Sequence, residues 1–156
     1  MFRKLIFAGL AFCGWNAAHH MDIPILSPQV ESMNQQDLKA ELSSDMDQYC
    51  GYVSASNCPS QLGSFLEMCL GSADGELEPE EVVSRANCFM RRYTRYLITQ
   101  MCADAQNYEC DYKISAKFES CFDREIPSDP EEWAKLGIFK NGYKAGQHVA
   151  ECVLGA

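Results

Sequence analysis

Two series of cysteines with the same spacing limit what this chain can fold into more than any other feature. Cys50, Cys58 and Cys69 are followed, 52 residues later, by Cys102, Cys110 and Cys121. Each series reads Cys-x7-Cys-x10-Cys and closes on one further cysteine, Cys88 or Cys152, after a gap of 18 or 30 residues. The apolar positions shift with the cysteines. Leu62 falls on Ile114, Leu66 on Phe118 and Leu70 on Phe122, while Glu67 falls on Glu119. An internal duplication is the expected origin, with pseudo-repeats over about 50–88 and 102–152. Two copies are too few for a solenoid. The expected architecture is therefore a pair of helical units sharing one core.

The ninth cysteine, Cys13, stands apart. It lies in MFRKLIFAGLAFCGWNAA, which has the parts of a secretory signal peptide. Arg3 and Lys4 form the basic region, Leu5 to Trp15 the apolar stretch, and Ala17 and Ala18 the small residues at the cut. The expected leader is 1–18, followed by a proline-containing arm over 19–30 and a helical domain over 31–156. The apolar run is too short to span a bilayer, so no membrane insertion is expected. Removing the leader leaves eight cysteines, an even number that suits four disulfides in an oxidising compartment. No Cys-x2-Cys pair exists to suggest zinc or a redox-active dithiol.

Eight cysteines allow 105 pairings, and spacing alone does not choose among them. An antiparallel hairpin of the helices around Cys69 and after Pro79 suggests Cys58–Cys88 and Cys50–Cys69. The repeat then suggests Cys110–Cys152 and Cys102–Cys121. A bridge between the two units is the alternative.

Helical periodicity runs through most of the domain, and strand alternation is nearly absent. Leu38, Leu42, Met46 and Tyr49 recur at three- and four-residue steps between Glu31 and about Cys50. Leu62, Phe65, Leu66 and Leu70 mark a short helix that stops at Gly71. Pro79 suits a first helical turn, and Glu80 and Glu81 suit the same end of the helix dipole. The helix they open is predicted to run to about Ala105, with Val82, Val83, Phe89, Met90, Tyr93 and Leu97 inward. Tyr112 to Phe122 repeats the short helix. Ser128 is a candidate cap for a segment through Leu136, and Asn141 to Cys152 reads as a last helix weakened by Gly142 and Gly146. The fold class expected is all-α: a small disulfide-stapled helical bundle.

Charge excludes some functions. The leader takes two of the 13 basic residues and no acid, leaving a net charge of about −11 against 22 Asp plus Glu. That field opposes nucleic acid and anionic membranes. No Asn-x-Ser/Thr acceptor for N-glycosylation is present. No catalytic constellation stands out, because paired cysteines cannot act as nucleophiles and the acids form no specific motif. The chain is therefore read as a non-enzyme without a cofactor.

Three stretches carry candidate binding chemistry. LGSADGELEPEE, 70–81, resembles a calcium loop, with Ser72, Asp74, Glu78 and Glu81 as oxygen ligands around Gly75. Leu70 stands where an Asp is required and Pro79 intrudes, so an acidic turn leading into a helix is the favoured account. His19 and His20 would open the cleaved chain, and a free amine beside imidazoles suits copper; a plain flexible end is favoured. RRYTRY, 91–96, is the one basic cluster. Arg91, Arg92, Arg95 and Tyr96 could receive an acidic partner, although neutralisation by acids of the first helix is favoured.

The cysteine spacings match none of three families of small helical proteins, of which insect odorant carriers are similar in size, acidity and helicity. Insect odorant carriers have a Cys-x3-Cys pair, plant lipid-transfer proteins an adjacent Cys-Cys, and saposins Cys-x2-Cys pairs. All are missing here. Met46, Met68, Met90, Met101, Phe65, Phe89 and Phe118 supply adaptable apolar bulk that either packs a core or lines a cavity. The expected function is a secreted, non-enzymatic binding protein whose partner is an extracellular protein or a small apolar ligand. An acidic component of a matrix or secretion, or a secreted toxin or effector, is the alternative.

Overall fold

In a computed structural model, residues 29–155 are described except for 45, 52, 54, 72 and 73. The leader and nearly all of the arm, with His19 and His20, lie outside the described residues. The elements run β1 (Met33–Asn34), α1 (Gln35–Ser43), α2 (Met46–Cys50), α3 (Cys58–Leu70), β2 (Glu76–Leu77), α4 (Pro79–Asp104), α5 (Cys110–Glu125), α6 (Pro130–Leu136) and α7 (Ile138–Leu154). The protein is an all-α, disulfide-stapled helical bundle. The strand pair is a minimal antiparallel clip that sets Met33 against Leu77.

The long helix α4 is the axis. Its buried face presents Val82, Val83, Ala86, Phe89, Met90, Tyr93, Leu97 and Ile98 at helical intervals. Helix α3 packs along one part of it and α5 along another, while α7 lies across both α4 and α5. Leu62, Leu66 and Leu70 of α3 are buried, as are Ile114, Phe118 and Phe122 of α5. These are the apolar positions that the 52-residue shift superposes. The apolar stripes, rather than helix propensity, hold the arrangement.

Helix ends follow local chemistry. Asn34 caps α1 through its side chain, which accepts from the Gln36 N–H at 2.8 Å. The first stripe is therefore two helices, α1 and α2, rather than one from Glu31. Helix α6 is capped by Asp129, whose Oδ1 accepts from the Glu132 N–H at 3.0 Å, and not by Ser128. Asp129 sits one residue before Pro130 in the N1 position, and the cap must stand there. Helix α7 starts at Ile138, earlier than periodicity indicates, and is kinked at Asn141. Gly137, in the left-handed region at φ 61°, ends α6 and lets α7 begin at once.

All eight cysteines of the domain are paired, as Cys50–Cys58, Cys69–Cys88, Cys102–Cys110 and Cys121–Cys152. The expected pairings are all different, and the correction has a geometric cause. The hairpin of α3 and α4 forms, but its register sets Cys69, not Cys58, opposite Cys88. Cys58 opens α3 just after a tight corner, where the Val53 N–H donates to the Cys50 carbonyl and the Cys58 N–H to the Ala55 carbonyl. That corner folds Cys58 back onto Cys50. A second corner between α4 and α5 does the same, with the Asn107 N–H donating to the Cys102 carbonyl and the Cys110 N–H to the Asn107 carbonyl. Each series thus has one staple across a corner and one between neighbouring helices.

Candidate functional site

Helices α4 and α7 do not close on each other along their whole length. Between them lies an apolar groove of about 370 Å³. Tyr93, Thr94, Leu97, Ile98 and Met101 supply its α4 wall. Tyr143, Gly146, Ala150 and Leu154 supply its α7 wall, and Val53, in the first corner, closes one side. Its volume lies at the small end of the ~300–1,000 Å³ typical of small-molecule sites.

Why the groove exists is legible in α7. Gly142 and Gly146 are one turn apart and both face α4. A β-carbon on Gly142 would stand 3.5 Å from the Tyr49 hydroxyl, and one on Gly146 would stand 3.3 Å from the Tyr93 hydroxyl. The glycines cost helix propensity and in return allow close approach. The Tyr93 hydroxyl uses that approach to donate to the Gly142 carbonyl at 3.2 Å. Tyr49 stacks on Tyr93 with ring centroids 5.0 Å apart, and Phe89 lies 5.3 Å from Tyr93. This aromatic cluster fixes the inner end of the groove. Further along α7, Ala150 and Leu154 continue the groove wall. Periodicity places Tyr93 and Leu97 inward but reveals nothing of the groove; the glycine pair on α7 is the one signal that points to it.

Polar groups along the groove are few. The Tyr143 hydroxyl accepts from Gln147 Nε2 at 3.0 Å. Glu151 is exposed at the rim. No Lys, Arg or His is among the lining residues. Thr94 is buried, and its Oγ1 has no hydrogen-bond partner among the described residues. Thr99, one turn on, behaves in the ordinary way and donates to the Arg95 carbonyl at 2.8 Å.

The basic cluster is only partly gathered. Arg91, Arg92 and Arg95 share an open cleft with Glu80, Glu119 and Ser128. Arg91 forks between Glu119 and Asp123 of α5, bonding Asp123 at 2.7 Å, and its guanidinium lies 4.3 Å above the Phe122 ring. Partial burial opposes the charge. The hydrogen bond donated to Asp123 and the attraction of both acids outweigh it and raise the guanidinium above its ordinary value. Arg95 pairs with Glu119 at 3.9 Å and lies over Phe118. The neutralising acids belong to α5, not to the first helix. Arg92 is exposed and forms no ion pair among the described residues. Tyr96 turns to α3, where it meets the Phe65 ring edge-on at 6.0 Å and donates to Asn57 Oδ1 at 3.3 Å.

The acidic stretch 70–81 ends in a helix start. The Glu81 carboxylate accepts from the Glu78 N–H at 3.3 Å, and Asp74 Oδ1 accepts from Gln36 Nε2 at 3.3 Å. Ser72 lies outside the described residues. Among the described residues no three His, Cys, Asp or Glu side chains cluster closely enough to hold a metal. None of the described helices is long and apolar enough to cross a membrane. No family model, no curated protein and no solved structure matches the chain.

Proposed function

We propose that the protein is a secreted, non-enzymatic carrier of a small apolar molecule, held in the groove between α4 and α7. The groove carries this reading: it is lined mostly by apolar and aromatic side chains, has few polar groups, and takes only the small residues Gly146 and Ala150 from the middle of α7. The cysteines support a binding role over catalysis, since all eight thiols are consumed in bridges. His148, the one described histidine, is exposed on α7, and Cys152, four residues on, is bonded to Cys121. Four intramolecular disulfides are typical of extracellular proteins and favour secretion.

The fluorescent reporter N-phenyl-1-naphthylamine tests the proposal. Its emission should rise saturably, at one molecule per chain, in the presence of the wild-type protein. Ala150→Phe, which fills the groove from α7, should abolish that rise while leaving circular dichroism unchanged. Absence of saturable binding by the folded wild type overturns the carrier function.

A second reading has its own observation. Tyr108 and Tyr112 are 92% and 78% exposed beside the Cys102–Cys110 corner. Exposed tyrosines on a rigid corner suit an extracellular protein partner. Loss of that partner's binding in a Tyr108→Ser/Tyr112→Ser variant that still takes up the reporter would favour it.

A further inference from the structure

We infer that the groove selects neutral molecules that carry a hydroxyl or carbonyl oxygen on an apolar body, and that Thr94 is the residue that recognises this oxygen. The inference rests on the groove being a ligand site, as proposed above. It adds the chemistry of the cargo.

Thr94 is 3% exposed, and its Oγ1 makes no hydrogen bond among the described residues. Buried hydroxyls are nearly always paired, because an unpaired one forfeits its bonds to water. The usual remedy in a helix is the carbonyl one turn back, and Thr99 of the same helix uses it. Thr94 does not. The other hydroxyls on the groove wall are engaged: Tyr93 with the Gly142 carbonyl, and Tyr143 with Gln147. Thr94 therefore holds the unused polar capacity of the groove.

Its position suits recognition. Thr94 Oγ1 lies 3.6 Å from where a β-carbon on Gly146 would stand. With no side chain at Gly146, the α7 wall opposite the hydroxyl is backbone alone, and Thr94 and Gly146 both line the groove. An oxygen entering there meets a hydroxyl able both to donate and to accept.

The rest of the lining sets the charge. Among the described residues no cationic side chain lines the groove, and the carboxylate that does is that of Glu151 at its rim. A fatty-acid carboxylate would meet no counter-charge and would be repelled by Glu151 and by the acidic chain. An ammonium is drawn to Glu151 at the rim but must shed its water to enter the apolar groove; an alcohol, aldehyde, ketone or ester pays neither penalty.

The test compares three eight-carbon chains as competitors of bound N-phenyl-1-naphthylamine: 1-octanol, sodium octanoate and octylamine. Octanol is expected to displace the reporter at the lowest concentration, and octanoate to be at least tenfold weaker. In Thr94→Val, the same shape without the hydroxyl, octanol should weaken about three- to tenfold relative to the reporter. Thr94→Ser should restore it. Octanoate or octylamine competing as well as octanol in the wild type overturns the inference even if the valine variant does not fold. So does an unchanged octanol affinity in a folded Thr94→Val protein. Either result leaves the carrier function standing, whereas failure of the reporter to bind the wild type removes both.

Discussion

The indole N–H of Trp133 donates to Asn87 Oδ1 at 2.8 Å, and Asn87 Nδ2 donates in turn to the Pro127 carbonyl at 2.9 Å. One side chain on α4 thus fixes both α6 and the turn that leads into it. Trp133 is 1% exposed. Replacing Asn87 with Ala strips its indole of this partner and leaves the Pro127 carbonyl without its donor. Asn87→Ala should cost about 1–3 kcal/mol in urea unfolding. A double-mutant cycle with Trp133→Phe should return a coupling of about 1 kcal/mol. Strict additivity would show that the two side chains do not act together.

The bridges predict a distinctive peptide map. Trypsin should release Tyr96–Lys113 alone from the unreduced protein, two hydrogens light, because Cys102 and Cys110 are bonded within it. Phe118–Arg124 should appear joined to the peptide that starts at Ala145, through Cys121 and Cys152. A Tyr96–Lys113 peptide cross-linked to either of these would refute the pairing.

The staples should differ in worth. Cys50–Cys58 closes a separation of 8 residues and Cys121–Cys152 one of 31. Chain entropy favours the larger loop by about 1 kcal/mol. Replacing Cys121 and Cys152 together with Ser should therefore lower stability more than replacing Cys50 and Cys58. Equal losses would mean that the corner staple holds native geometry as well as limiting the unfolded chain.

Cleavage of the leader expected over 1–18 predicts a mass. Protein recovered from the medium of secreting cells should lack residues 1–18, Cys13 with them, and should be eight hydrogens lighter than its fully reduced form. A secreted chain that keeps Met1 would refute cleavage, and a free thiol would refute the four-bridge count.

The sequence shows the helices far more plainly than their contacts. The spacing of Val82, Phe89, Tyr93 and Leu97 makes the buried face of α4 readable, because periodicity is a property of one helix alone. The register of α3 on α4 is a property of two, and Cys58 therefore looks as good a partner for Cys88 as Cys69 does. The corners show the same limit: nothing in seven intervening residues announces that Cys50 and Cys58 meet. Gly142 and Gly146 read as weak points of a helix until Tyr49 and Tyr93 are seen standing opposite them. Thr94 is a neutral letter in RRYTRY, and only packing reveals that its hydroxyl lacks a partner.

Arg91 offers the last test, of what an acidic surface does with its few cations. Its fork reaches Glu119 and Asp123 on α5 while its plane covers Phe122. Lysine keeps the charge but neither spans both carboxylates nor stacks. The group is partly exposed, and solvent screening keeps the ionic share small. Arg91→Lys should therefore cost only about 0.5–1 kcal/mol, with the loss shrinking as salt rises towards 1 M. Arg91→Ala should cost more and retain a portion that salt does not touch, the packing on Phe122. A loss in Arg91→Ala that vanished in high salt would assign the whole contribution of Arg91 to its charge.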